Sequence, residues 1–143
     1  MSLHGSYDTG NIFAKIIRGE IPAVKVFEDD QVLAFMDAFP QSRGHVLVIS
    51  KTSQARNLLE AETKTLGRMI GAVQKVTQAV TTALKPDGVV VTQFNGAPAG
   101  QTVFHLHFHI IPRYDGEALG RHGEGTADVE DLKALAEKIS AAL

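Results

Sequence analysis

The sequence contains no cysteine and no tryptophan, and aromatic residues make up only 6% of its 143 positions. Without cysteine, disulfide bonds and thiolate metal sites are excluded. No apolar run approaches the roughly 20 residues that a membrane-spanning helix requires. Residues 1–10 also lack the apolar core of a signal peptide, and they resemble a short polar leader. These absences predict a cytoplasmic protein that makes no membrane contact.

The sequence also lacks an excess of charge of one sign, because it has 14 basic and 16 acidic residues and a net charge of -2. This balance gives no electrostatic support for nucleic-acid binding, so we expect no nucleic-acid partner. An anionic ligand would have to be held by local hydrogen-bond donors. Hydrophobic residues at 44% and charged residues at 21% are typical of a globular protein, and the length suits a single domain over residues 1–143.

The order of apolar patterns predicts an α+β fold. β-forming residues favour about five strands, at residues 24–28, 31–38, 45–49, 89–95 and 102–111. Asn11 is a suitable N-cap for a short first helix, and Asp128 is one for a final helix. Between about Ser53 and Leu84, apolar residues recur at three- and four-residue steps without proline, which indicates one long amphipathic helix. We expect an antiparallel meander packed against helices.

Three histidines alternate with apolar residues in the last predicted strand. They are His105, His107 and His109, which make up half of the six histidines in the chain. Alternate side chains on a strand share a face, and their backbones are about 6.6 Å apart. We therefore expect three imidazoles on one exposed face, with the apolar residues from Phe104 to Ile110 directed into a core.

This pattern permits three interpretations. Three histidines could be ordinary polar residues on a solvated face, although their strict alternation argues against this. They could bind a metal, since strand His-x-His pairs bind zinc, but no cysteine is available and the strand contains no acidic residue. They could also catalyse reactions at phosphorus, because imidazole is a good nucleophile near neutral pH and forms a labile N–P bond.

A longer motif surrounds the histidines. Residues 100–111, Gly-Gln-Thr-Val-Phe-His-Leu-His-Phe-His-Ile-Ile, resemble the signature of the histidine-triad (HIT) nucleotide-binding proteins, and the likeness is greatest to HINT-like bacterial members. Residues 11–22, 34–37 and 44–51 are similar to other blocks of that family. The resemblance covers residues 11–113 and leaves residues 114–143 as a variable tail that ends in a helix. It implies a HIT-like fold and an enzyme that hydrolyses or transfers nucleotidyl groups.

The resemblance also implies a role for each histidine of the site. His107 matches the nucleophile, which attacks the α-phosphorus and forms a covalent nucleotidyl-histidine. His109 matches the residue that helps to bind the phosphate and the leaving group. His105 matches a structural and polarising partner, and His45 matches a fourth histidine of the pocket. A nucleophilic imidazole needs one unprotonated nitrogen, so the other nitrogen must donate to a fixed acceptor.

Further positions match the substrate pocket of the family. Asp37 and Asn95 match groups that bind ribose and phosphate, although Asp37 would otherwise be taken for a turn residue at the end of a strand. Gln101 and Thr102 match contacts to the phosphate or leaving group, and the backbone near Val103 can add N–H donors. The apolar wall around the base is matched by Ile12, Phe13, Ile16 and Phe35. For these four residues a plain core role is an equal alternative.

The resemblance implies an AMP-type purine nucleotide substrate with a phosphoramidate or related P–N or P–O–P bond, and a homodimer. No cofactor is expected to be required, and no metal is assigned; zinc could bind without being essential. Two alternatives remain: a nucleotide-binding regulatory module with little turnover, and a diadenosine polyphosphate hydrolase. Ala38 stands where the family often has a larger aliphatic residue, so one side of the base or ribose pocket is expected to be looser.

Overall fold

A computed structural model describes residues 2–120 and 125–143, and it confirms the predicted α+β class. The described residues form helices α1 (Ile12–Ile17), α2 (Thr63–Leu84) and α3 (Val129–Ala141), and strands β1 (Lys25–Glu28), β2 (Val32–Met36), β3 (Val46–Ser50), β4 (Gly88–Thr92) and β5 (His107–Arg113). No helix in this described part is both long and apolar enough to cross a membrane. The predicted variable tail includes residues 121–124, which lie outside the described residues.

The five strands form one antiparallel sheet in the order β1-β2-β3-β5-β4. The predicted meander holds only for β1 to β3, because α2 follows β3 and the chain then enters the edge strand β4 before β5 pairs with β3. One face of the sheet packs against α2 and α3 and forms the larger apolar core, which includes Val48, Met69 and Ile139. The opposite face packs against α1 and forms a smaller cluster that includes Phe13, Phe35 and others from β2 and β3. One face of the sheet therefore carries the larger core, and a site can form on the opposite face.

The short helix α1 is placed by local hydrogen bonds. The side chain of Asn11 accepts a hydrogen bond from the N–H of Ala14 at 2.9 Å, as predicted for the N-cap. Phe13 and Ile16 are buried against the sheet. Gly19 follows with a φ of +79°, a conformation that glycine adopts at little cost, so the chain turns away from the helix. The helix therefore covers the second face over a short stretch.

The long helix starts later than predicted, at Thr63 and not near Ser53. Residues 53–62 contain a 3-10 turn at Leu58–Glu60 instead. The hydroxyl of Ser53 accepts from the N–H of Ala55, and the side chain of Asn57 accepts from the N–H of Leu59. Such side-chain bonds to nearby N–H groups compete with helical hydrogen bonding, which explains the delayed start.

The last strand also starts later than predicted, at His107 and not at Thr102. The N–H of Leu106 donates to the carbonyl of Ala55 at 3.0 Å, so this backbone is bonded to a loop and not to a neighbouring strand. Phe104 is half-buried beneath the guanidinium of Arg56, 4.8 Å from its ring centre, and it lies outside the main core that was expected to hold it. Residues 101–106 are therefore a structured loop that leads into β5.

Candidate active site

The histidines occupy the face of the sheet beneath α1. In the register of β5 against β3, His107 lies opposite Ile49 and His109 lies opposite Leu47, two residues of the smaller apolar cluster. The alternation predicted from the sequence therefore holds for these two residues. The prediction of an exposed face was wrong, because His105, His107 and His109 retain only 2%, 6% and 4% of their accessible surface. Helix α1 and the loops around it cover a face that a lone strand would expose.

His107 is oriented by its own backbone neighbour. Its Nδ1 lies 2.7 Å from the carbonyl oxygen of His105. A carbonyl can only accept, so Nδ1 carries a proton, and in the neutral ring the lone pair is on Nε2. The ring of Phe13 contacts the imidazole edge to face, with centroids 4.9 Å apart. This arrangement fixes both the ring plane of His107 and the nitrogen that can act as a nucleophile.

His105 is held at both ring nitrogens. Its Nε2 donates to the carbonyl of Ser50 at 2.8 Å, and its Nδ1 accepts from the hydroxyl of Tyr7 at 2.7 Å. Burial lowers the pKa of His105, although the hydrogen bond to Ser50 opposes this effect, so the ring is neutral at neutral pH. The side chain therefore has a structural role, while its backbone carbonyl orients His107.

His45 and His109 form a directed hydrogen-bonded pair. The N–H of Gln41 donates to Nδ1 of His45 at 3.0 Å, so His45 carries its proton on Nε2. That Nε2 lies 3.0 Å from Nδ1 of His109 and donates to it. His109 must then carry its own proton on Nε2. The rings of His107 and His109 are adjacent, with centroids 5.0 Å apart. Nε2 of the neutral His107 ring, which carries a lone pair, and Nε2 of His109, which carries a proton, therefore belong to neighbouring rings.

A cavity of about 510 Å³ adjoins these rings, a volume in the usual range for a small-molecule site. His107, His109, Asp37 and Thr102 supply polar side chains to its lining. The predicted apolar residues of the wall all line it as well, together with Val103: Ile12, Phe13, Ile16 and Phe35. The cavity therefore joins a mostly apolar compartment to a polar region that contains the proposed nucleophile.

Comparison with known proteins adds to this geometry. The HIT domain family model matches residues 18–116 of the chain. The chain belongs to the HIT family. It is 40% identical over 135 residues to adenosine 5'-monophosphoramidase hnt1 of Schizosaccharomyces pombe, an alignment that spans 90% of this chain and 95% of that protein.

Solved structures of other HIT proteins have the same fold. The crystal structure of a HIT-like protein from Bartonella henselae superposes with a TM-score of 0.89 at 54% identity, covering 96% of this chain and 100% of that one. A zinc-bound histidine triad family protein from Mycobacterium smegmatis superposes with a TM-score of 0.81 at 31% identity, covering 94% and 93%. The fold predicted from the sequence is thus shared with close structural relatives.

Two residues predicted to contact the substrate lie outside the lining of this HIT cavity. The Gln101 side chain is buried and bonds to main-chain groups, accepting from the N–H of Gly96 and donating to the carbonyls of Arg56 and Val103. The side-chain oxygen of Asn95 accepts from the N–H of Leu58 at 2.9 Å. Gln101 therefore shapes the loop before the triad, and Asn95 ties two loops together.

The C-terminal helix supplies cavity residues that the sequence did not indicate. Val129, Leu132 and Lys133 of α3 line the same cavity as Ala38 and Phe39. The small side chain of Ala38 was expected to leave extra space on one side of the pocket. Residues of the C-terminal tail line the same cavity as Ala38. The apolar spacing of α3 was visible in the sequence, but spacing does not indicate where a tail helix docks.

Asp37, His45 and His109 form a buried group whose potential metal-ligand atoms all lie within 4.8 Å of one another. Their separations, 3.0 Å between the two imidazoles and 3.5 Å from His45 Nε2 to the Asp37 carboxylate, suit a small cation in size. Nε2 of His45 is a poor metal ligand here, because it carries a hydrogen as long as the N–H of Gln41 donates to Nδ1. A metal would have to displace that proton and break the Gln41 bond.

Proposed function

We propose that this chain cleaves purine nucleoside phosphoramidates, or related nucleotidyl compounds, through a covalent intermediate on His107. Nε2 of His107 would form a bond to the α-phosphorus while the bond to the leaving amine breaks. The amine would depart with a proton from solvent. Water would then attack the phosphorus, breaking its bond to Nε2 and losing a proton to solvent, which releases a nucleoside monophosphate and restores His107. Dividing one displacement into two steps is the usual benefit of covalent catalysis.

The observation that carries this proposal is the hydrogen bond from His107 Nδ1 to the His105 carbonyl. It directs the lone pair of the neutral ring to Nε2, and His107 lines the cavity. A residue that merely bound a nucleotide would not need a fixed lone pair. This feature favours an enzyme over the alternative of a regulatory module with little turnover.

The surrounding residues suit the other parts of a nucleotide. The proton on His109 Nε2 would donate to a phosphate oxygen, which fits the expectation that local donors hold an anion. The Asp37 carboxylate lines the cavity, where it would accept hydrogen bonds from ribose hydroxyls. Phe13 and Phe35 contribute aromatic surface for a base. The name of the yeast relative, adenosine 5'-monophosphoramidase, supports a purine phosphoramidate as the first substrate to test.

The covalent step predicts an adduct of defined chemistry. After mixing with an adenosine phosphoramidate and quenching without acid, intact-mass spectrometry should show an added nucleotidyl group. Peptide mapping should place it on the peptide that contains His107. The adduct should be lost in acid and survive in base, as expected for an N–P bond and unlike an ester on Thr102.

The His109→Ala variant is the companion measurement, because it should slow the later steps and let the adduct accumulate. If neither the parent nor this variant forms an adduct while the parent turns over, a direct attack by water with His107 as general base would be the better mechanism. If the parent shows no turnover of phosphoramidates or dinucleoside polyphosphates, the regulatory alternative would replace the enzyme.

We further propose that no metal is required. Turnover is expected to stay within about twofold of its original rate after exhaustive dialysis against a chelator, since the assigned protons on His45 and His109 leave the buried cluster poorly suited to a cation. Zinc added at stoichiometric concentration is expected to inhibit or to have no effect. Loss of activity in chelator together with its recovery in zinc would contradict the proposal.

We also propose a homodimer formed through the sheet edge at β4. Val91 on this edge strand is 43% exposed, and it adjoins a shallow groove beside Ile70 of α2, which is also exposed. Exposed apolar edges are rare in proteins that stay monomeric. In a twofold dimer, this patch on one copy would pack against the same patch on the other.

The cytoplasmic location predicted from the sequence stays a prediction, which cell fractionation would test.

Light scattering after size-exclusion chromatography should give twice the chain mass of 15.4 kDa. The Val91→Glu variant is expected to shift the protein to the monomer mass, because a carboxylate would be desolvated at the proposed contact. Leu59→Glu serves as the control, since Leu59 is exposed in the 3-10 turn, away from β4 in sequence. A monomeric parent, or a dimeric Val91→Glu variant, would exclude this interface.

A further inference from the structure

The N-terminal leader makes specific contacts with loops around the triad. The hydroxyl of Ser2 accepts from the N–H of Ala97 at 2.8 Å, and the carbonyl of Leu3 accepts from the Asn57 side chain at 2.8 Å. Tyr7, half-buried in the same segment, donates to His105. The sequence predicted only a polar leader here. The contacts indicate instead that residues 2–7 are part of the structure around the active site.

We propose that Tyr7 is a positioning residue, which acts on the nucleophile His107 through His105. The first link is the direction of the hydrogen bond between the Tyr7 hydroxyl and Nδ1 of His105. Because the Ser50 carbonyl takes the proton on Nε2, Nδ1 has only a lone pair to offer. The Tyr7 hydroxyl must therefore be the donor.

The second link is the peptide unit that joins His105 to Leu106. Its carbonyl accepts the proton of His107 Nδ1 at 2.7 Å, and its N–H donates to the carbonyl of Ala55 at 3.0 Å. The His105 ring, bonded at both nitrogens, anchors the same residue from its side chain. Movement of that ring would tilt the carbonyl that holds His107, so the Tyr7 hydroxyl helps to set the direction of the lone pair on His107.

Because His105 is buried, its Nδ1 needs a hydrogen-bond donor from the protein, and the Tyr7 hydroxyl supplies it. The ring is 2% exposed, so an Nδ1 without a donor would be a buried unsatisfied acceptor, which is costly. Protonating Nδ1 offers no easy replacement, because burial lowers the pKa of this ring. Loss of the Tyr7 hydroxyl should therefore cause the ring to move or to exchange its tautomer.

Tyr7→Phe tests this proposal, which rests on the proposed function for its kinetic part. The variant keeps the ring and removes the hydroxyl. We expect kcat to fall about two- to tenfold, the range set by one hydrogen bond, with KM unchanged within about twofold. Nitrogen-15 spectra of labelled histidines should show His105 as the Nε2–H tautomer in the parent, and the Nδ1 resonance should move in the variant.

Tyr114→Phe is the matched control. It removes the hydroxyl of a second tyrosine, which donates to the carbonyl of Arg43 and not to a histidine. Tyr114 does not line the cavity. It should leave kcat and the His105 spectrum unchanged. An unchanged His105 resonance in Tyr7→Phe would overturn the proposal, and so would a moved resonance with kcat unaltered, or a raised KM with normal kcat. If the parent lacks turnover, the proposed function fails on its own, while the spectra still test the Tyr7 contact.

Discussion

Replacing His107 with alanine is expected to abolish nearly all turnover while the protein stays folded. Loss of a nucleophile typically costs about three powers of ten or more in kcat, because the proposed covalent step requires this imidazole. The fold should survive, since the backbone pairing of β5 with β3 at Ile49 does not depend on the side chain. The hydrogen bond to the His105 carbonyl would be lost, at about 1 kcal/mol of unfolding free energy.

The measurements are steady-state turnover of a fluorogenic adenosine phosphoramidate and thermal unfolding followed by circular dichroism. His4→Ala is the matched control, because it removes an imidazole from an exposed position in the leader. It should retain parent activity. A His107→Ala variant with activity within tenfold of the parent would exclude His107 as the nucleophile.

Replacing Leu106 with aspartate is expected to prevent folding. Leu106 is 1% exposed and belongs to the larger core beneath α2. The change removes a buried aliphatic side chain and adds an acid without a partner, at a combined cost of about 5 kcal/mol or more. That cost approaches the whole free energy of unfolding of a typical small domain. Loss of the cooperative thermal transition, with most of the protein insoluble, is the expected result.

Leu59→Asp makes the same chemical change at a position that is 60% exposed. Its unfolding free energy should differ from that of the parent by about 0.5 kcal/mol or less. A Leu106→Asp variant that folds and melts like this control would mean that Leu106 lies outside the core and that the two faces of the triad segment are reversed.

The α+β class could be predicted because it depends on local patterns. Apolar alternation and helical spacing identified all five strands, the long helix and the cap at Asp128. Alternation also placed His107 and His109 on one face, as their pairing with β3 shows. These features follow from the periodicity of the backbone, which a short stretch of sequence determines.

Burial of that face could not be predicted, because it depends on which distant segments cover it. His105 was expected on an exposed face that tolerates alanine. Its two ring nitrogens are instead bonded to Tyr7 and Ser50, which are 98 and 55 positions away, and alanine there is now expected to destabilise the fold. Tyr7 in the leader and Lys133 in α3 reach the site by docking, which no local pattern encodes.

Main-chain atoms direct the protons of three imidazoles in the site. The N–H of Gln41 sets the polarity of the pair formed by His45 and His109, and the carbonyl of His105 sets that of His107. Because a peptide N–H is common to every residue except proline, the side chain at position 41 can vary without reversing this polarity. The acid–base character of the cavity is thus set by the path of the backbone, and a proline at position 41, which has no N–H, would remove this control.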